Sequence, residues 1–322
     1  MSAAPEKLLP VQPAHQLPVR TEAQRWLVTG LWLEQSVGVL GGEPKCCKSF
    51  LAHDIAVSVA SGTACLRQFP VPTAGRVLLY AAEDALHIVR RRLEGICAAA
   101  QVSFEDLDVQ VITAPTVRLD LPADRERLER TVEMLKPRLL VLDPFVRLHR
   151  IDENASGEVA PLLAYLRELQ RRHAISVLVV HHAKKGGARL RAGQALRGSS
   201  EFHAWGDSNL YLRRMENQLT LSVEHRAAPA MPPVDLELAQ RGESLALETR
   251  PSAQPTPEAP SSTPVDERII NALKDANRPV SAAALRALCS VRKATFYICL
   301  EELTRAGRLL RSPEGYRLAP TA

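Results

Sequence analysis

Short aliphatic runs alternate with longer stretches of helical period along most of the chain. Residues 37–40, 77–81, 109–114, 139–142 and 177–180 are brief and mostly aliphatic, the pattern of strands buried on both faces of a parallel sheet. Between them, apolar residues recur at helical spacing over 49–60, 85–100, 123–135 and 158–173. Strand–helix–strand repetition of this kind predicts an α/β domain with a mostly parallel sheet. Beyond Ser200 the runs at 209–212, 219–223, 234–238 and 244–247 alternate or are short, which predicts an antiparallel extension of that sheet. Residues 1–24, rich in Pro, Ala and Gln, have no sustained period and read as a flexible arm before a domain spanning 25–249.

The pattern breaks at 250–264, RPSAQPTPEAPSSTP, where five of fifteen residues are proline. A tether of this composition is extended and reaches ~45 Å. A compact unit follows over 265–319. Its first helix is announced by Thr263, Pro264 and Asp266 and buries Ile269, Ile270 and Leu273. Ser281 opens a second helix with Leu285 and Leu288 inward. Ser290 opens a third with Phe296, Leu300 and Leu303, closed by Gly307. Two short strands, 308–311 and 316–318, flank Ser312-Pro313-Glu314-Gly315. Three helices and a hairpin in so short a span outline a winged helix-turn-helix.

Composition narrows the function classes. The longest apolar run, 77–82, is far below the roughly 20 residues a membrane span needs. MSAAPEKLLP has no apolar core of a secretory signal, and six irregularly spaced cysteines form no disulfide framework, so a cytoplasmic protein is expected. The net charge of +5 is unevenly placed. Residues 265–322 hold ten Lys/Arg and six Asp/Glu, which suits an anionic partner for the tail.

The strongest local signal is Gly42-Glu43-Pro44-Lys45-Cys46-Cys47-Lys48-Ser49, followed by Phe50, between a strand and a helix. That is the context of a P-loop, where consecutive backbone N–H groups and a helix N-terminus form an anion nest. Lys48 adds a cation for the β/γ oxygens, and the Ser49 hydroxyl is placed to ligate Mg²⁺. Cys47 stands where the pattern has glycine, and its Cβ narrows the accessible backbone angles. Three further strands end in polar residues suited to ATP chemistry. Asp143 can complete the Mg²⁺ shell, Glu83 can polarise an attacking water, and His181-His182 can sense the γ-phosphate. Ligands of open α/β sheets bind at these carboxyl ends.

The ordered set GEPKCCKS, LLYAAED, LLVLDPF, VLVVHHAKK and ALRGSS resembles the RecA-like ATPases, in particular the RepA-type hexameric replicative helicases, over about 25–247. The resemblance implies ATP and Mg²⁺ as cofactors, a homo-oligomer of hexameric type and nucleotide sites between subunits. It also implies Lys48 and Ser49 as the P-loop pair, Glu83 as catalytic glutamate, Asp143 as the Walker B aspartate and His182 as sensor. LTLSVEHR resembles the late hairpin that carries a Lys-x-Arg pair in relatives. Arg226 matches the arginine finger there, with Arg213 and Arg214 in reserve, while Glu224 replaces the lysine. In such rings the segment after the sensor faces the channel. Here it is AKKGGARLRAGQALRG, with Lys184, Lys185, Arg189, Arg191 and Arg197, four glycines and no acid, suited to tracking single-stranded DNA. The tail resembles the winged helix domains of bacterial regulators, which points to Arg292, Lys293, Thr295 and Tyr297 as duplex contacts; the apolar Ile298 and Cys299 beside them favour protein docking as the rival. Two functions are consistent with this pattern. One is a helicase or DNA-remodelling ATPase of mobile-element or plasmid replication. The other is a DNA-binding regulator whose slow ATPase core is a nucleotide-dependent oligomerisation switch.

Overall fold

A computed structural model describes residues 11–153, 155–182, 199–215, 218–229, 231–241, 244–250, 265–276, 278–289, 293–312 and 315–319, with the side chains of 199–200, 241, 244 and 293–295 excepted. The chain forms two compact units, Met1–Ser252 and Ala253–Ala322.

The larger unit is built on a nine-stranded sheet. A small hairpin, β1 (Trp26–Val28) and β2 (Trp32–Leu33), precedes it. The sheet strands are β3 (Val37–Gly42), β4 (Val77–Ala81), β5 (Val109–Val111), β6 (Leu139–Asp143), β7 (Ser176–His182), β8 (Ser208–Met215), β9 (Gln218–His225), β10 (Val234–Arg241) and β11 (Ser244–Thr249). Their order is β11-β10-β9-β8-β3-β7-β6-β4-β5. Six strands, from β8 to β5 in that order, run parallel, and β9 to β11 add antiparallel pairs at one edge. The fold is α/β with a mostly parallel central sheet.

Two layers cover the sheet because its inner strands are apolar on both faces. One core joins α1 (Lys48–Ser61) and α2 (Leu86–Ala100) to Leu40, Leu79, Val141 and Leu178. The other joins α3 (Pro122–Leu135), α4 (Ser156–His173) and Phe202 of α5 (Ser199–Trp205) to Val39, Leu78, Leu142 and Val179. Adjacent strand residues thus serve opposite layers, as the period of two requires. Continuous burial leaves α1 with ten buried residues out of fourteen, the composition of a helix enclosed on most sides.

Two sequence expectations are corrected. β8 pairs antiparallel to β9 as expected, but it joins the rest of the sheet parallel to β3, with Gly38 opposite Ser208 and Gly42 opposite Leu212. The span between β7 and β8, which ends in α5, is long enough for a parallel crossover, and alternation within a strand carries no direction. Residues 112–114 lie outside β5, which stops at Val111. Before β1, Ala14–Gln16 and Ala23–Arg25 form single 3₁₀ turns.

The smaller unit contains α6 (Val265–Ala276), α7 (Ala282–Cys289), α8 (Lys293–Arg305) and the antiparallel pair β12 (Leu309–Ser312) and β13 (Gly315–Leu318). Ile269, Ile270, Leu273, Leu285, Phe296, Leu300 and Leu303 form its core. Leu288, expected inward, is 64% exposed. Residues 263, 264 and 290, expected to open helices, and the tether 251–264 lie outside the described residues.

Candidate nucleotide site

Four neighbouring strands of the sheet, β3, β7, β6 and β4, bring their carboxyl ends together, and each carries one part of the site. β3 ends at Gly42. Its φ of 158° and the 2.4 Å gap that a Cβ would leave to the Leu212 carbonyl oxygen both demand glycine. The chain then turns into α1, with Lys45 and Cys47 at φ 64° and 65°. Left-handed residues between right-handed neighbours turn successive N–H groups inward, which makes an anion-binding nest. Cys47 adopts the left-handed geometry that glycine would take without strain.

Lys48 is buried, and its Nζ donates to the carbonyl oxygens of Gly42 (3.0 Å) and Glu43 (2.8 Å). Burial pushes its ammonium below the usual lysine range, against the pull of Cys46, Asp143 and Glu83. Two neutral carbonyls are poor compensation for a desolvated cation, so the site favours an anion beside it. Asp143, at the end of β6, is buried and hydrogen-bonded to Ser49, and its Oδ2 has no hydrogen-bond partner among the described residues. Burial raises its carboxyl from 3.8 to about 6. A buried, half-satisfied carboxylate beside a hydroxyl is a donor set that fits Mg²⁺, and the nest with Lys48 fits a phosphate chain. Among the described residues, no cluster of three or more His, Cys, Asp or Glu is placed to hold a metal.

Glu83 follows β4 and is exposed; Arg147 Nε donates to it at 2.9 Å. Its neighbour Asp84 turns the other way, to Arg92 at 2.7 Å, while the Arg92 guanidinium also lies 4.8 Å from the Phe50 ring centre. Phe50 packs against the α1–α2 core through its ring. The two histidines of β7 separate by face. His181 is fully buried and stacks on Phe202, ring centres 4.1 Å apart. His182 lies opposite Gly42 in the register, half-buried, and burial followed by the Lys48 charge lowers its imidazole below 6.5. His182 is therefore the one that faces the nest, as a neutral imidazole at pH 7.

Arg226 is far from this cluster in its own chain. Its backbone N–H pairs with the Asp207 carbonyl, and its guanidinium meets the Ala204 carbonyl and lies 3.6 Å from the Asp207 carboxylate. Asp207 precedes Ser208, which is opposite Gly38, so Arg226 lies toward the amino end of β3 while the nest lies past its carboxyl end. Lys184, Lys185, Arg189, Arg191 and Arg197 lie outside the described residues, as do Arg292 and the side chains of Lys293 and Thr295. Tyr297 is 43% exposed on α8. Sequence reasoning misses Arg147 and gives Arg214 only as a reserve for the arginine finger. Arg147 is one basic residue in LDPFVRLHR with no spacing signal; Arg214 is a reserve candidate whose Nη2 lies 3.3 Å from Cys47 Sγ.

No helix among the described residues is long and apolar enough to cross a membrane. The chain resembles a KaiC-like protein from the hyperthermophilic archaeon Pyrococcus horikoshii OT3, at 15% identity and TM-score 0.49 over 73% of this chain and 100% of that one. It also resembles the RadB recombinase, at 18% identity and TM-score 0.49 over 67% of this chain and 90% of that one. A family model described as AAA domain matches residues 2–188, a stretch that holds the nest, Glu83, Asp143 and His182. With more than half of its length matched, the chain belongs to the AAA domain family.

Proposed function

We propose that the chain hydrolyses ATP in a homo-oligomeric ring, of hexameric type, and couples the reaction to movement on or remodelling of single-stranded DNA. This is the work of a helicase in plasmid or mobile-element replication. The observation that supports it most is the convergence of Lys48, Ser49, Glu83, Asp143 and His182 at adjoining strand ends, with β7 leading straight into the acid-free basic segment 183–198.

Each residue has a distinct part. The nest of residues 42–49 and Lys48 hold the phosphate chain, and Lys48 stabilises charge that builds as the terminal bond breaks. Ser49 and Asp143 are the groups that would hold Mg²⁺, whose charge offsets that of the phosphates. The Glu83 carboxylate accepts a hydrogen bond from the attacking water and orients it, steadied by Arg147. His182 donates to or accepts from the terminal phosphate region and passes its state to residues 183–198. Arg226, remote from its own nest, acts on a neighbour's nucleotide. Lys184, Lys185, Arg189 and Arg191 follow the DNA backbone. The tail unit is a winged helix that meets duplex through Arg292, Lys293, Thr295 and Tyr297.

The left-handed Cys47 favours a second reading, a regulator whose slow hydrolysis times its assembly. One experiment separates the two: ATPase rate with and without single-stranded DNA, for the wild type and Glu83→Gln, alongside mass in solution. Stimulation by DNA that Glu83→Gln abolishes supports the motor. Unstimulated turnover, with assembly that follows nucleotide state, replaces it with the switch.

A further inference from the structure

β8 runs parallel to β3 with Leu212 opposite Gly42, so the residues after Leu212 continue along the first turn of the P-loop. Side chains of β8 alternate between layers. Leu210 and Leu212 enter the core under α1, and Tyr211 enters the opposite one. Arg214 shares the face of Leu210 and Leu212, the face on which the P-loop turns into α1. Its Nη2 donates to Cys47 Sγ at 3.3 Å, and it has no carboxylate partner among the described residues. Its charge also reaches the Cys46 thiol.

A thiol is a weak acceptor, so one contact leaves the five-donor fork of a guanidinium largely unspent. A phosphate chain offers paired anionic oxygens that match the fork. We propose that Arg214 binds the phosphate chain of the nucleotide held in its own chain's P-loop, with the Cys47 side chain as the stop against which the guanidinium rests. The role differs from that of Arg226, which reaches a neighbour, and it rests on the reading of residues 42–49 as a nucleotide site. Cys47 also acquires a purpose, because a glycine at that position would leave the guanidinium nothing to rest on.

The test is calorimetric titration of the full chain with Mg-ADP and Mg-ATP, for the wild type, Arg214→Ala, Arg214→Lys and Lys48→Ala, with steady-state ATPase on the same proteins. Arg214→Ala is expected to weaken both nucleotides about tenfold, equivalent to about 1.4 kcal/mol and typical of a charge-assisted hydrogen bond. Arg214→Lys should recover part of that loss. KM should rise while kcat stays within about twofold of the wild type, the split expected for a ground-state contact. Because residue 214 is exposed, melting temperature without nucleotide should not move. Wild-type ADP affinity in Arg214→Ala overturns the inference, and a drop in kcat at unchanged affinity reassigns the residue to a neighbour's site. If the wild type and Lys48→Ala are alike in failing to bind, the nucleotide-site reading itself falls and the inference with it.

Discussion

Asp143 allows the clearest test of the metal side of the site. Its carboxyl is buried, accepts from Ser49 and leaves Oδ2 without a hydrogen-bond partner among the described residues, so in the absence of Mg²⁺ the ionised form is costly. A group that titrates at 3.8 when exposed and at about 6 in the fold binds its proton about 3 kcal/mol more tightly folded than unfolded. The sign follows for an acid with a raised folded value. Its contribution to stability is fully present below pH 3.8, is lost as pH rises through about 6, and is constant above. Near pH 8 the nucleotide-free wild type therefore carries the whole penalty. Asp143→Asn removes the charge but weakens the Ser49 contact, an offset of about 1 kcal/mol, for a net gain of about 2 kcal/mol. For a domain of this size that gain raises Tm by roughly 4–8 °C. The assay is thermal unfolding in chelator without nucleotide, at pH 8 and at pH 4.5. The variant should melt higher at pH 8, and the difference should shrink at pH 4.5, where the wild-type carboxyl is already protonated in the fold. With saturating Mg-ATP the order should reverse, because the amide lacks the charge that offsets Mg²⁺. An unchanged or lower Tm for Asp143→Asn at pH 8 in chelator refutes the account of a buried, uncompensated carboxylate.

Cys47→Gly should relieve the left-handed strain at residue 47 and raise apo stability by about 1 kcal/mol, read by denaturant unfolding; no change means the Cβ costs nothing there. Arg147→Ala should lower kcat while leaving ADP affinity intact, since it steadies Glu83 without touching the nest; a loss of affinity would show that it acts elsewhere. Replacing Lys184, Lys185, Arg189 and Arg191 together by Ala should weaken single-stranded DNA and flatten the salt dependence of binding, by a slope of about 0.7 for each lost phosphate contact. An unaltered slope would remove that segment from the DNA path.

What the residues announced, and what they concealed, follows from the range of the forces involved. Buried parallel strands are short aliphatic runs, so β3, β4, β6 and β7 were legible, and the polar residue after each run marked the carboxyl edge where a site belongs. The direction of β8 was not legible. Alternation records which residues are buried, whereas direction depends on the length and course of the connection before it, and α5 was hidden in a glycine-bearing, polar stretch. The paired histidines were legible in principle, because a strand sends neighbours to opposite faces, but which face holds the nest depends on the layer that α1 occupies. His181 then proves to be an aromatic neighbour of Phe202, and His182 is the one that lies opposite Gly42 in the register.

Cys47 shows the limit most sharply. By motif it is a defect, a side chain where glycine is needed, and the same left-handed angle appears in the fold with the cost intact. The sequence distance of 167 residues between it and Arg214 hides the compensation, since contacts set by sheet register leave no local trace. β8 delivers a guanidinium to the thiol because Gly42 and Leu212 are register partners, and that register is enforced by a glycine whose Cβ would collide with the Leu212 carbonyl. One glycine is kept for close approach. The other is replaced, and its replacement touches the strand that the first allowed to come near. A P-loop of this form gains a second fixed cation beside Lys48, at the expense of backbone strain on the residue before that lysine.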